Sequence, residues 1–379
     1  MIHLTSVGSI DISPAKSEAP DGVAELGRAA RVSALGFNTM EDGVNDTRYG
    51  TRDKRGNWTP ARRPRRAPVF VWPAQPKKFL NWLFGYPGYL WPWNALYVSI
   101  SVLAWWYLTP SLDTMKQFHV DWVLLILLRN AALTILVYGC FHVVFYIQRR
   151  QGTDFKYNSK WPDTDNPTFM FGSQTSENVF LTMCSGVPVW TAYEVFTWWV
   201  FANGYIPYVD FAVHPVYFVA LMLLVPVWHE LYFYMIHRLI HLGPLYHIIH
   251  KLHHNNVNPG PWSGLSMHPF EHIIFFGGVL IHFVVPSNPL HAMFQLMHLA
   301  LVPAKAHVGF DRMVTGDENY VDTDNYFHYL HHKYFEVNYG DRMIPLDEWF
   351  GTAHDGSAEA DEAMYKRIRA KKYVRGGSR

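Results

Sequence analysis

His-Arg-Leu-Ile-His-Leu-Gly-Pro-Leu-Tyr-His-Ile-Ile-His-Lys-Leu-His-His, residues 237–254, reads as half of a metal site. Residues four apart share a helix face, so His237 and His241 aim two imidazoles at one point. Gly243-Pro244 breaks that helix and lets a second one, carrying His250, His253 and His254, leave at a new angle. Further on, His268 stands in Met-His-Pro-Phe-Glu-His and His307 in Ala-His-Val-Gly-Phe-Asp, while His328, His331 and His332 repeat the His-x-x-His-His spacing. These ten histidines are the candidate ligands. That many nitrogens exceed the needs of one ion and suit two, and neutral imidazole fits iron, zinc, copper or nickel. A lone histidine is commonly a core or surface residue, but three clusters at helical spacing in an apolar chain are not explained that way.

Outward from this stretch, the chain is 49% hydrophobic and 16% aromatic, enough to bury a large core or to cross a bilayer. A formal net charge of +1 gives no case for a nucleic-acid partner. Cys140 and Cys184 lie inside apolar runs with neither metal nor disulfide spacing, which excludes a disulfide-stapled secreted protein. Residues 1–90 are rich in Gly, Pro, Ser and charge, including the basic run Arg62-Arg63-Pro64-Arg65-Arg66, and read as a largely flexible N-terminal region without the layout of a signal peptide. At their end Trp82, Tyr86, Tyr89, Trp91 and Trp93 form the aromatic band expected at a membrane interface.

Four apolar stretches follow, at about 94–110, 121–147, 178–202 and 213–236, each near the roughly 20 residues that span a bilayer. Arg129 and His142 interrupt the second and should face the bundle interior, and Pro188 and Pro226 should kink the third and fourth. The connection at about 111–120 carries Lys116 alone and that at about 203–212 no Lys or Arg, whereas the loop at about 148–177 holds Arg149, Arg150, Lys156 and Lys160. This bias places both termini, the middle loop and the histidine region in the cytosol. The run 273–303, broken at Pro286-Ser287-Asn288-Pro289, reads as a half-embedded helical pair packed on the bundle. The expected fold is therefore an all-α membrane protein: four transmembrane helices and a short membrane-embedded helical hairpin, capped by a cytosolic, helical, histidine-rich di-metal region. That domain covers 91–356, and 357–379 form a charged C-terminal tail.

The ordered motifs resemble the fatty acid hydroxylase/sterol desaturase superfamily. They are His237 to His241, Leu245 to His254, His268 to Glu271, His307 to Asp311, His328 to His332, Asn338 to Gly340 and Phe350 to Thr352. The resemblance implies a multi-pass membrane enzyme with a cytosolic active site, in the endoplasmic reticulum of a eukaryote or the cytoplasmic membrane of a bacterium. It implies two iron ions held by His237, His241, His250, His253, His254, His268, His307, His328, His331 and His332, with zinc able to replace iron during purification. It further implies O2 as co-substrate and a membrane lipid, such as a sterol or fatty acyl chain, hydroxylated or desaturated at a C–H bond; epoxidation by the same superfamily is the alternative. With no haem-binding or dinucleotide motif in the chain, electrons would come from a separate donor of cytochrome b5 or ferredoxin type with its NAD(P)H reductase.

Three further residues are candidates for supporting the ligands. Glu230 lies seven residues before His237 on nearly the same face, His272 lies four after His268, and Asp311 closes its motif. The substrate cavity is expected between the third and fourth spans. A zincin-type protease is excluded because His229-Glu230 is followed by Leu231, Tyr232 and Phe233 rather than completing His-Glu-x-x-His. A transporter would place its ligands mid-membrane in repeat-related broken helices. A non-catalytic metal- or lipid-sensing membrane protein stays open.

Overall fold

The computed structural model describes residues 49–62, 66–316 and 319–376, with side chains up to residue 369. The flexibility expected of residues 1–48, and most of the basic run, lie outside the described residues. Antiparallel strands β1 (Gly50–Arg52) and β2 (Trp58–Pro60) open the described part, Gly50 opposite Pro60. Trp58 is buried against Phe155 and Tyr157, and Arg52 donates to the carbonyls of Thr153 and Lys156. A piece of the region expected to be flexible is thus docked on the loop after the second apolar run. Three-residue strands carry too little alternation to be read from sequence.

α1 (Pro76–Phe84) begins on a proline, whose missing N–H is not needed at that position. A five-residue π turn, Leu90–Asn94, leads into α2 (Ala95–Leu108). α3 (Val120–Ile147), α4 (Gln174–Ala202) and α5 (Pro215–Ile240) are the three helices among the described residues long and apolar enough to cross a membrane. α2 coincides with the first expected span but, at 14 residues, is shorter than the roughly 20 a bilayer requires. Pro188 stands two residues after a π turn in α4, Thr182–Gly186, where the hydrogen-bond ladder is already shifted, and Pro226 sits within α5. Arg129 of α3 is buried and ion-paired with Glu194 of α4, and Asn130 and Thr109 accept its other N–H groups. A buried guanidinium is tolerable only when paired in this way, so the contact fixes how α3 meets α4. His142 is half-buried and stacks on Tyr146.

α6 (Pro269–Phe283) and α7 (Pro289–Ala306) form a helical hairpin, but not one laid on the outside of the bundle. Every residue of α7 from His291 to Ala304 is buried, and the helix packs on α2, α3, α4 and α5. The half-embedded reading rested on the break at Pro286-Ser287-Asn288-Pro289, which leaves each arm short of a full span. Arm length does not reveal that α7, with His291, Gln295 and His298, is the most enclosed helix. Small residues let its neighbours close in, as where the Tyr138 hydroxyl donates to the Ala300 carbonyl at 2.7 Å. The hairpin turn pairs with the α4–α5 connection, Val209 N–H to Ser287 O at 3.0 Å and Ser287 N–H to Pro207 O at 3.1 Å. The hairpin turn therefore lies at the α4–α5 end of the bundle. Antiparallel strands β3 (Arg312–Val314) and β4 (Tyr320–Asp322), then α8 (Tyr326–Tyr334) and α9 (Ala358–Gly376), build the cap at the other end.

Candidate metal centre

His237 lies in the last turn of α5 and His241 caps that helix. His250, His253 and His254 follow on a short helical run, Gly243–His254, that includes the π turn Tyr246–His250. His307 caps α7, and His328, His331 and His332 project from α8. Their ring nitrogens gather into two groups, each with its atoms within 4.8 Å of one another: His237, His241, His250, His254 and His331, and then His253, His307, His328 and His332. The helical period explains the sorting. In each His-x-x-His-His the outer pair, His250 with His254 or His328 with His332, is four apart and shares a face. The middle histidine is turned about 100° from its neighbour, so His253 joins the α7 and α8 ligands while His331 joins those of α5.

Within the first group His237 Nε2 lies 3.2 Å from His250 Nε2, and His254 Nε2 lies 3.1 Å from His241 Nε2 and 3.0 Å from His331 Nε2. In the second, His307 Nε2 lies 2.9 Å from that of His328, 3.1 Å from that of His332 and 3.4 Å from that of His253. Nitrogens about 2.1 Å from one ion are roughly 3.0 Å apart at right angles and 3.4 Å apart at tetrahedral angles, so the spacing fits a coordination sphere. The opposite ring atoms are held from behind. Nδ1–H of His237 donates to Tyr339 O at 2.7 Å, of His307 to Pro303 O at 2.9 Å, of His331 to Val337 O at 2.6 Å and of His253 to Ser266 O at 3.3 Å. His250 Nδ1–H donates to Glu271 Oε1 at 2.7 Å. A proton kept on Nδ1 leaves the Nε2 lone pair for a metal.

All nine histidines except half-buried His241 are buried. Burial, reinforced by neighbouring imidazoles, holds His250, His254, His307, His328, His331 and His332 well below the ordinary histidine range. Burial brings His253 to about 4. The cluster is accordingly neutral at physiological pH, as metal ligation requires. It borders a narrow cavity of about 30 Å³ that is partly open to the exterior. His237, His250, His253, His307 and His328 face it on one side, and Phe233, Ile236, Met267, Ile274, Phe275 and Val302 supply apolar walls. α5, α6 and α7 line this cavity, whereas α4, expected to share it, does not.

Residues 222–352, which contain all ten candidate histidines, match the fatty acid hydroxylase family. A Delta(7)-sterol 5(6)-desaturase from Gibberella zeae is 31% identical over 140 residues, covering 36% of this chain and 42% of that protein. Methylsterol monooxygenase 1 from Gallus gallus is 30% identical over 148 residues, covering 38% of this chain and 48% of its own length. Over residues 222–352 the chain is similar to the fatty acid hydroxylase family and to sterol desaturases and methylsterol monooxygenases. It spans about half the length, or less, of the curated relatives it matches. No solved structure gives a significant match.

Within this matched stretch four expected contributors stand elsewhere. His268 is outside both groups: the Pro269 that follows makes it the N-cap of α6, where its Nδ1 accepts the Phe270 N–H at 3.3 Å. His272 has both nitrogens engaged, Nδ1 with Ser185 Oγ at 2.9 Å and Nε2 with Leu265 O at 3.1 Å. Glu230 accepts the Ile344 N–H at 2.8 Å and so anchors the cap, because seven residues put it about 10 Å along α5 from His237. Asp311 pairs with Arg312 rather than with a histidine, and burial pushes its carboxyl up to about 6. The carboxylate that supports a ligand is Glu271, which closes the His268 to Glu271 motif and accepts from His250. The Asn338 to Gly340 motif supports a ligand in the same indirect way. Asp347 accepts the N–H groups of Tyr339 and Gly340, both at 2.9 Å, which presents the Tyr339 carbonyl to His237.

Proposed function

We propose that the protein is an O2-dependent lipid oxidoreductase, a hydroxylase or desaturase acting on a C–H bond of a membrane lipid such as a sterol or fatty acyl chain. Two irons would be held by the five-histidine and four-histidine groups, without His268. The observation that carries this reading is the convergence of neutral imidazole nitrogens, at coordination spacing, on the wall of an apolar cavity. Iron bound there would activate O2 for attack on a C–H bond, with two electrons from a separate carrier of cytochrome b5 or ferredoxin type. The chain's own residues bind and shield. Backbone carbonyls and Glu271 fix the tautomers, and Phe233, Ile236 and Phe275 keep water from the reacting carbon. The sterol desaturases and methylsterol monooxygenases among the relatives support a lipid substrate.

Connectivity supports four crossings despite the short α2. Trp93 Nε1–H, just before α2, donates to the cap carbonyl of Asp322, whereas the connection after α2 meets the α4–α5 end through Asn203 Nδ2–H to Lys116 O at 3.1 Å. α2 with its preceding π turn therefore joins opposite ends of the bundle. Arg149, Arg150, Lys156 and Lys160 stand in the connection leaving α3 toward the cap, so the histidine end is assigned to the cytosol. Lipid profiling of membranes with and without the protein, under O2 with reductant, tests the reading. A product one oxygen heavier identifies hydroxylation and one lacking two hydrogens identifies desaturation. If iron-loaded wild-type protein and its His331→Ala variant leave the same lipids unchanged, the sensor reading replaces the enzyme.

A further inference from the structure

Eight residues before His237, His229 begins the His-Glu pair that completes no metal motif. It is 4% exposed and lines the apolar cavity, and its Nδ1 has no partner among the described residues. The ring of His298, from α7, lies edge-on at 4.5 Å. His298 Nε2 lies 3.3 Å from Asn94 Oδ1, but its Nδ1 is also unpartnered. Beside it the buried Tyr97 hydroxyl of α2 and both amide atoms of Gln295, one turn earlier on α7, are without partners too. Buried polar atoms are rarely left unpaired, and several together mark a place where something else pairs them. The junction of α2, α5 and α7 borders the cavity at His229, which lines it with the His298 ring packed behind.

We propose that this junction recognises a hydroxyl group on the lipid that enters the cavity, a proposal that rests on reading the cavity as the lipid site. A neutral imidazole and a carboxamide each present both donor and acceptor, and a hydroxyl, which donates one hydrogen bond and accepts others, answers both kinds. A carboxylate or phosphate only accepts and would leave the acceptor atoms unmet. The cation of α7, Lys305, is two turns nearer the cap, its ammonium 5.7 Å from the centre of the Trp93 ring. His229 and His237 are about 12 Å apart along α5, so a lipid held at His229 presents to the metal groups a carbon on the order of 10 Å from its hydroxyl. The oxidised carbon is then remote from the one bearing the hydroxyl.

The test uses full-length protein in phospholipid nanodiscs and four photoactivatable diazirine probes: a long-chain primary alcohol, a sterol alcohol and the methyl ether of each. Labelled peptides are located by mass spectrometry. At least one alcohol should label cavity residues about tenfold more than its ether, the usual scale of one lost buried hydrogen bond. That preference should vanish in His229→Leu and persist in His229→Gln, which keeps a donor and an acceptor. The responding alcohol tells a chain from a ring system. Equal labelling by alcohol and ether in wild-type protein, which would mean that water meets the unpaired atoms, overturns the proposal; so does a preference that survives His229→Leu. Labelling needs no turnover, so a preference without lipid oxidation keeps this site and sinks the enzyme, and oxidation without a preference does the reverse.

Discussion

His253 and His254 are neighbours in the chain yet belong to different nitrogen groups, and so do His331 and His332. Each doublet therefore couples the two groups, and single substitutions can address them separately. His253→Ala leaves three imidazoles in the smaller group, fewer than the four that commonly fill a closed site, so bound metal should fall from about two ions to about one. His268→Ala should retain the full complement, because that ring caps α6. Elemental analysis after dialysis against a chelator reads both, and a His268→Ala protein as depleted as His253→Ala would return that residue to the ligand set. Glu271→Gln should weaken metal binding by about 10- to 100-fold through His250 alone. The i, i+4 pairs were legible from spacing, whereas the exchange of His253 and His331 between the groups was not read from it, although 3.6 residues per turn accounts for it. His268 misled because a ligand type also makes a good cap before proline. The carbonyls behind His237, His307 and His331 carry no side-chain signature.

At the scale of elements, length and hydropathy sufficed for α3, α4 and α5, which stand close to where they were expected. They failed for α7. A helix enclosed on all sides satisfies its polar residues through neighbours that composition cannot name, as His291 does through the carbonyl of Phe218 at 2.9 Å. Arm length alone then makes the innermost element look like a marginal one. Ala300, fully buried where Tyr138 reaches its carbonyl, gives a direct measure of this enclosure. Ala300→Leu should destabilise the protein by about 1–3 kcal/mol through overpacking, read as a lowered unfolding midpoint in detergent. A peripheral hairpin would accept the same change almost without cost.

For the whole molecule, the number of neutral buried imidazoles outside the apolar spans sets the response to acid. His250, His253, His254, His307, His328, His331 and His332 all have folded values below the ordinary 6.5. Between each folded value and about 6.5, the unfolded chain binds a proton that the folded chain refuses, so stability is complete above about pH 6.5 and is lost as pH falls. For His253 the loss runs down to about 4, and for the others it continues below their depressed values. Asp311 acts in the opposite sense: its folded value of about 6 against the ordinary 3.8 means that it gains a proton more readily when folded, stabilising the protein as pH falls through 6. That carboxyl offsets only a small part of the effect of seven imidazoles. Metal-free protein should therefore melt at a markedly lower temperature at about pH 5 than at about pH 7.5. Metal-loaded protein should hold its midpoint to lower pH, because protons must displace the ion before they reach the rings. Parallel melting curves for the two forms decide the matter, and a metal-free midpoint unchanged across that range would mean that the histidine cluster accepts protons without opening the fold.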